Sequence, residues 1–351
     1  MNRLSGPACF KPSRRQFIAT MATGTLAAPF IVRNARAATN SLVFVTWGGN
    51  YRTAIEESIV KPFMAETGVS VQIIDTPDLA KIKAQVQTGN VQWDVFDAIN
   101  WQAFFGTSQG LWEELDPALF DAPDLVIPAR PDAAPFYNAM GVVAWDANRT
   151  PDGKHPTTFA EYFDIEKFPG RRTLRNRASE TLEMALLADG VPAAELYPLD
   201  LDRAFKKLDT IRSSVVKWVT ATPETITLVQ RGEADFTYSY PSRVNAAGEP
   251  MSCSFEQTMS QEEYLTVLKG APNKENAFKF VSFATRPEVQ AATMEKLVLA
   301  PVSRKGFDIL SPAARKWIKN TEAPTNTPIN GAWWGENLGA IDRRFKEWVL
   351  L

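Results

Sequence analysis

An apolar, β-branched run at residues 41–47 stops at Gly48-Gly49. Apolar residues at helical spacing follow (Ile55, Ile59, Phe63, Met64) up to Gly68, and a second β-branched run occupies 69–74. Strand, helix and strand in so short a stretch point to a parallel connection, because an antiparallel pair needs only a tight turn whereas a parallel crossover needs a dozen or more residues, usually a helix. The expected fold class is therefore α/β with a parallel sheet.

The unit recurs. Asp78 is placed to cap a helix that Gly89 ends, and the run Asp94-Val95-Phe96-Asp97-Ala98-Ile99 reads as a strand with Asn100 and Trp101 at its exit. Val86-Gln87-Thr88-Gly89 followed by Asp94-Val95-Phe96 is echoed by Val229-Gln230-Arg231-Gly232 followed by Asp235-Phe236-Thr237-Tyr238, about 140 residues later. A duplicated α/β unit predicts two similar lobes. Between the copies, residues 140–145 form a central apolar strand, taken as one crossover between lobes, and a second crossover is expected at 264–268. Residues 276–284 and 287–297 read as helices, and 333–349 as an amphipathic helix with Leu338, Ile341, Phe345 and Trp348 on one face.

Composition removes several function classes. The balance of 38 basic and 40 acidic side chains argues against a nucleic-acid binder. The single histidine, His155, excludes His-rich zinc centres and leaves one ring for any Ser-His-Asp or Cys-His hydrolase. Two cysteines, Cys9 and Cys253, cannot build a cysteine zinc site. No metal and no cofactor is expected. His155 lies in a polar loop and is expected to be solvated.

Residues 1–37 carry their own signature. Ser13-Arg14-Arg15-Gln16-Phe17-Ile18 is a twin-arginine pattern, an apolar stretch at 18–32 follows, and Ala35-Arg36-Ala37 is an A-x-A cleavage site. The apolar stretch, diluted by Thr20, Gly24 and Pro29, falls short of the ~20 residues that span a bilayer. Cleavage after Ala37 removes six basic residues and no acid, which takes the formal charge from -2 to -8 and leaves Cys253 as the lone cysteine. The expected location is periplasmic, reached through the twin-arginine export machinery.

Over nearly the whole chain after residue 37, the residues resemble periplasmic solute-binding proteins of ABC importers, specifically the spermidine/putrescine-like group. The landmarks are the strand at 42–47, Phe63-Met64-Ala65-Glu66-Thr67-Gly68-Val69, Trp93-Asp94-Val95, Gly110-Leu111, the segment from Lys269-Gly270-Ala271-Pro272-Asn273 to Ala277, and the pair Trp333-Trp334. The resemblance implies a type II periplasmic-binding-protein fold: two lobes joined by crossover strands, a ligand cleft between them, and Venus-flytrap closure without catalysis. Lobe 1 is expected at 38–141 plus 264–302 and lobe 2 at 142–263 plus 303–351, with the terminal helix open to either. It also implies a monomer that works with a membrane permease.

By similarity of position, the aromatic walls of the cleft would be Trp47, Tyr51, Trp101, Tyr238 and Trp334, and the acids Glu180 and Glu263. Flat aromatic faces and carboxylates together suit an alkyl amine. Each has a plain alternative: a core aromatic at a loop base, or a solvated helix-end acid. One departure stands out. Three positions before Glu180, where polyamine binders place another acid, stands Arg177, in a cluster with Arg171, Arg172 and Arg175. Arg177 either meets an anionic ligand group bidentately or turns outward to pair with Glu180 on the surface. Tyr264 stands where the family often has tryptophan.

The leading expectation is a receptor for a small, amine-bearing, polyamine-like solute. The alternative is an anionic or zwitterionic solute, amino acid-like or an aminoalkylphosphonate, held by Arg177. An exported enzyme has least support: no G-x-S-x-G, G-x-G-x-x-G or P-loop occurs, and Ser58-Ile59-Val60-Lys61 matches S-x-x-K without the K-T-G that should accompany it.

Overall fold

The computed structural model describes residues 40–351. The export signal expected at 1–37, with Arg14, Arg15, Ala35 and Ala37, lies outside the described residues. Ten strands form one mixed sheet: β1 Ser41–Val45, β2 Ser70–Ile74, β3 Val95–Ile99, β4 Ala134–Asp146, β5 Arg172–Arg175, β6 Val215–Val219, β7 Phe236–Ser239, β8 Met251–Val267, β9 Ala300–Pro301 and β10 Asn326–Pro328. The order is β2-β1-β3-β8-β4-β7-β5-β6, with β10 beside β8 and β9 beside β4.

That order is nearly symmetrical. β1, β2 and β3 are parallel with β1 in the middle, and β5, β6 and β7 repeat the arrangement with β5 in the middle. Each triplet is followed in sequence by a long strand that leaves it: β4 pairs antiparallel with β7 of the second set, and β8 with β3 of the first. β4 and β8 also pair with each other. Two large hydrophobic clusters sit at the two ends, one built from residues 42–137 and 264–294, the other mainly from 143–259 and 329–348. β4 and β8 contribute to both.

The sequence echo has a structural counterpart. Gly89 and Gly232 both take left-handed backbone (φ 68° and 70°), where a glycine carries no Cβ penalty. Asp94 accepts from the Val43 N–H in the middle of β1 (2.8 Å), and Asp235 accepts from the Arg171 N–H just before β5 (2.7 Å). In each half an aspartate ahead of one parallel strand anchors the backbone of its neighbour: within β1 in the first, just before β5 in the second.

Local sequence accounts for most helix ends. Asp78 accepts from the N–H groups of Ala80 and Lys81 (3.0 and 3.1 Å) and so caps helix Leu79–Thr88. The terminal helix, Gly331–Leu350, buries Ile341, Phe345 and Trp348. Two expectations need correction. The strand expected at 264–268 extends back to Met251, because residues 251–263, though largely polar, are held by pairing with β4 and β10 rather than by an apolar period. His155 is not solvated: it is 7% exposed, and its ring stacks on Trp145 at 3.6 Å.

The two aspartate anchors differ in burial. Asp94 is fully buried and also takes the Asn273 backbone N–H (2.8 Å), whereas Asp235 is half-buried and pairs with the Arg171 side chain. Replacing Asp94 by alanine strands buried donors and should cost about 2–4 kcal/mol, against about 1 kcal/mol for Asp235→Ala. Urea unfolding of both variants measures the contrast; equal losses would refute it.

Candidate functional site

The exits of β1, β6 and β7 and the middle of β4 and β8 surround a cavity of about 610 Å3. Trp47, Tyr51, Tyr137 and Glu263 line one side, and Thr222, Tyr240, Ser242 and Arg243 the other. Openings at strand ends are where α/β sheets bind ligands.

The first wall centres on two buried acids. Asp97 on β3 pairs with Leu265 of β8, and Glu263 pairs with Ile99, so the two carboxylates are diagonal neighbours on one face of the sheet. Asp97 Oδ2 accepts from the hydroxyls of Thr46 and Tyr51 (2.7 Å each), while its Oδ1 and Glu263 Oε2 are buried without a partner. Burial, opposed by those two hydrogen bonds, pushes the Asp97 carboxyl up to about 7. Burial and then the nearby Asp97 charge push Glu263 well above the carboxylate range, with Arg177 pulling the other way. The pair therefore holds less than two full charges near neutral pH.

A bulge completes this wall. β4 slips by one residue at Phe136, which brings Tyr137 opposite Glu263 and onto its face. The Tyr51 and Tyr137 rings lie 5.9 Å apart beside the two acids.

The second group is built around Arg177 and Glu180. Arg177 Nε donates to Glu180 Oε2 (2.9 Å), and its Nη2 reaches Glu180, Tyr240 Oη (3.2 Å) and Gln261 Oε1 (3.1 Å). The hydroxyls of Tyr238 and Tyr240 donate to the same carboxylate (3.2 and 2.9 Å). Burial works against the Arg177 charge, but Glu180 outweighs it and the guanidinium ends above its ordinary value. Glu180 is 2% exposed and has φ 71°, a conformation that costs a non-glycine residue of order 1–3 kcal/mol. Val298, which lines the cavity, is the other non-glycine residue with positive φ (55°) among the described residues. A Cβ at Gly141 would stand 1.7 Å from Tyr238 Oη, so glycine there is what lets that hydroxyl lie over β4 and reach Glu180.

The residues expected at the cleft are thus distributed unevenly. Trp47, Tyr51 and Glu263 line the cavity. Arg177 and Glu180 join it through Tyr240; Glu180 is buried and non-helical while Arg177 is half-buried, so the pair differs from the surface i,i+3 contact that was one of the two alternatives. Tyr238 is a core ring that offers only its hydroxyl. Trp101 does not line the cavity; it packs half-buried against the second cluster. Trp334 is corrected outright: it is fully buried in the second hydrophobic cluster, because its helix turns that face inward, and its Nε1 donates to the buried Glu183 carboxylate (2.5 Å). Sequence reasoning passed over Tyr137, Tyr240, Gln261 and Arg243, and treated Asp97 only as a strand marker. The internal echo aligns Asp97 with Tyr238, a signal that would have flagged it. Among the described residues no cluster of His, Cys, Asp and Glu suits a metal ion, and no helix is long and apolar enough to cross a membrane.

Residues 58–325 match the model of the family described as bacterial extracellular solute-binding protein. The chain belongs to that family. A γ-aminobutyric acid-binding protein from Pseudomonas aeruginosa is 31% identical over 90% of this chain and 92% of its own. The structure of the Atu4243-GABA receptor shares 32% identity with a TM-score of 0.82, covering 88% of this chain and 97% of that one. AgtB of A. tumefaciens R10, solved with agropinic acid, shares 30% identity with a TM-score of 0.73 over 89% and 99%. The fold is that of the periplasmic binding proteins, and the protein is the solute-binding component of an ABC transporter. These relatives are named for binding, not for catalysis.

The solute-binding protein should carry a pH signature from Asp97. A carboxyl whose pKa is higher folded than unfolded makes the folded state bind more protons, so ligand-free stability falls as pH rises from about 4 to about 7, by an amount on the order of a few kcal/mol. Melting temperatures should therefore be higher at pH 5 than at pH 8, and Asp97→Asn should flatten the slope. An unchanged slope in Asp97→Asn would assign it to other groups.

Proposed function

We propose that this solute-binding protein captures a small zwitterion of the ω-amino acid class, with γ-aminobutyrate as its nearest simple representative, and delivers it to the permease of an importer. The observation that carries the reading is the asymmetry of the cavity. Two buried acids flanked by Tyr51 and Tyr137 meet an ammonium group on one side, and a guanidinium-bearing wall lies opposite. Arg243 lines that wall, exposed and with no carboxylate paired to it among the described residues. A polyamine brings a second ammonium to a wall that already holds arginines, which like-charge repulsion disfavours. The names of the related γ-aminobutyrate-binding proteins support the same class.

Capture proceeds by closure of two lobes, 38–141 plus 264–302 on 142–263 plus 303–351, about β4 and β8. The terminal helix lies against both halves: Gly331 and Gly335 pack on Asn100 and Phe104, and Trp334 on Glu183. The twin-arginine pattern sends the protein, as a monomer, to the periplasm, where residues 1–37 are removed.

Titration calorimetry with 4-aminobutyrate, putrescine and spermidine tests the ligand class. We expect 4-aminobutyrate to bind at least about 100-fold more tightly than either polyamine. Because an ammonium ligand requires the acid pair to ionise, binding should release protons at pH 6, and the share released by Asp97 should fall as pH rises through about 7. Polyamines binding as tightly as 4-aminobutyrate would defeat the reading.

A further inference from the structure

The four arginines at 171–177 have different fates. Arg171 forms an ion pair with Asp235 (3.0 Å). Arg172 is fully buried, yet its guanidinium donates to the carbonyls of Tyr162 (2.7 Å), Gly170 (2.6 Å) and Phe168, so the backbone satisfies it. Arg177 is committed to Glu180. Arg175, the last residue of β5, is 7% exposed and has no such provision. Its Nε and Nη1 are buried with no hydrogen-bond partner, and no carboxylate pairs with it among the described residues. A buried guanidinium left this way is costly, because neither water nor a counter-ion offsets its lost hydration.

Its place in the sheet ties the cost to the cavity. β5 lies between β6 and β7, and Arg175 is level with Val219 of β6. The chain leaving β6 supplies Thr222 to the cavity, and the chain leaving β7 supplies Tyr240. Arg175 thus ends the strand between two exits that line the site. Its charge also lowers the Tyr240 phenol pKa, against the larger upward push of burial, as a close neighbour should. Next to it, Asn176 Oδ1 is buried without a partner.

We propose that Arg175 is the anion-binding residue of this protein: its unsatisfied N–H groups take the carboxylate of the bound solute, while Arg177 holds Glu180 and Tyr240 in place. The proposal rests on the reading above that the ligand carries an anionic group. It separates two arginines that sequence spacing treats alike, one already neutralised within the protein and one kept charged and unpaired.

The test compares 4-aminobutyrate with its uncharged isostere 4-aminobutanamide on wild type, Arg175→Gln and Arg175→Lys, together with ligand-free melting curves. Arg175→Gln should weaken 4-aminobutyrate by at least about 30-fold and move the amide by no more than about threefold, with Arg175→Lys in between. Because the substitution removes an unpaired buried charge, ligand-free Arg175→Gln should melt no lower than wild type. Arg231→Gln, an exposed control in the same half, should bind as wild type does. Loss of both ligands in equal measure, unchanged 4-aminobutyrate affinity, or a destabilised ligand-free variant would overturn the proposal while wild-type binding upheld the ligand class. Wild-type protein that binds neither compound would overturn the zwitterion reading, and this inference with it.

Discussion

The pairing of β4 with β8 is the constraint on which the rest of the molecule depends. Each strand begins in one half of the chain's duplication and pairs with the other half, so neither set of three parallel strands completes its sheet from its own sequence. The same pairing brings Tyr137, Glu263 and Gln261 onto one face. The bulge at Phe136 sets which β4 side chain meets Glu263, and Gly141 leaves room for Tyr238. Hydrogen-bond register, more than any individual contact, assembles the site.

The surroundings of the cavity are one place where the molecule leaves its local rules unmet. Some buried polar groups elsewhere are fully served, Arg172 by three carbonyls and Asp94 by three N–H groups of Val43 and Asn273, while others, such as the two ring nitrogens of His155 and Thr293 Oγ1, are bare. Around the cavity, Asp97 Oδ1, Glu263 Oε2 and two nitrogens of Arg175 are buried and bare, and Glu180 and Val298 hold positive φ. Of the bare groups Glu263 lines the cavity, and Asp97 and Arg175 lie on the strands behind it; leaving them bare costs stability in the empty protein.

Much of the fold was legible because its signals are local. The strand–helix–strand run at 41–74, the Asp78 cap, the Gly89 stop and the terminal helix each depend on residues within a turn or two of one another. The first half of β8 was not legible, since its polar residues 251–263 become strand only through neighbours remote in sequence. The site was read unevenly for the same reason. Trp47, Tyr51 and Glu263 stand beside recognisable strand exits or the crossover, whereas Trp334 looked like a cleft aromatic until its helix turned it into the core.

By itself the sequence determined an α/β chain with a repeated unit and a terminal amphipathic helix, because periodicity, caps and glycine stops act over short distances. Only the tertiary structure decided which charges remain unpaired. Arg172, Arg175 and Arg177 share a residue type and a short stretch of chain. Whether each meets a carbonyl, nothing, or a carboxylate depends on strands and helices far away in sequence, and burial then converts that difference into energy.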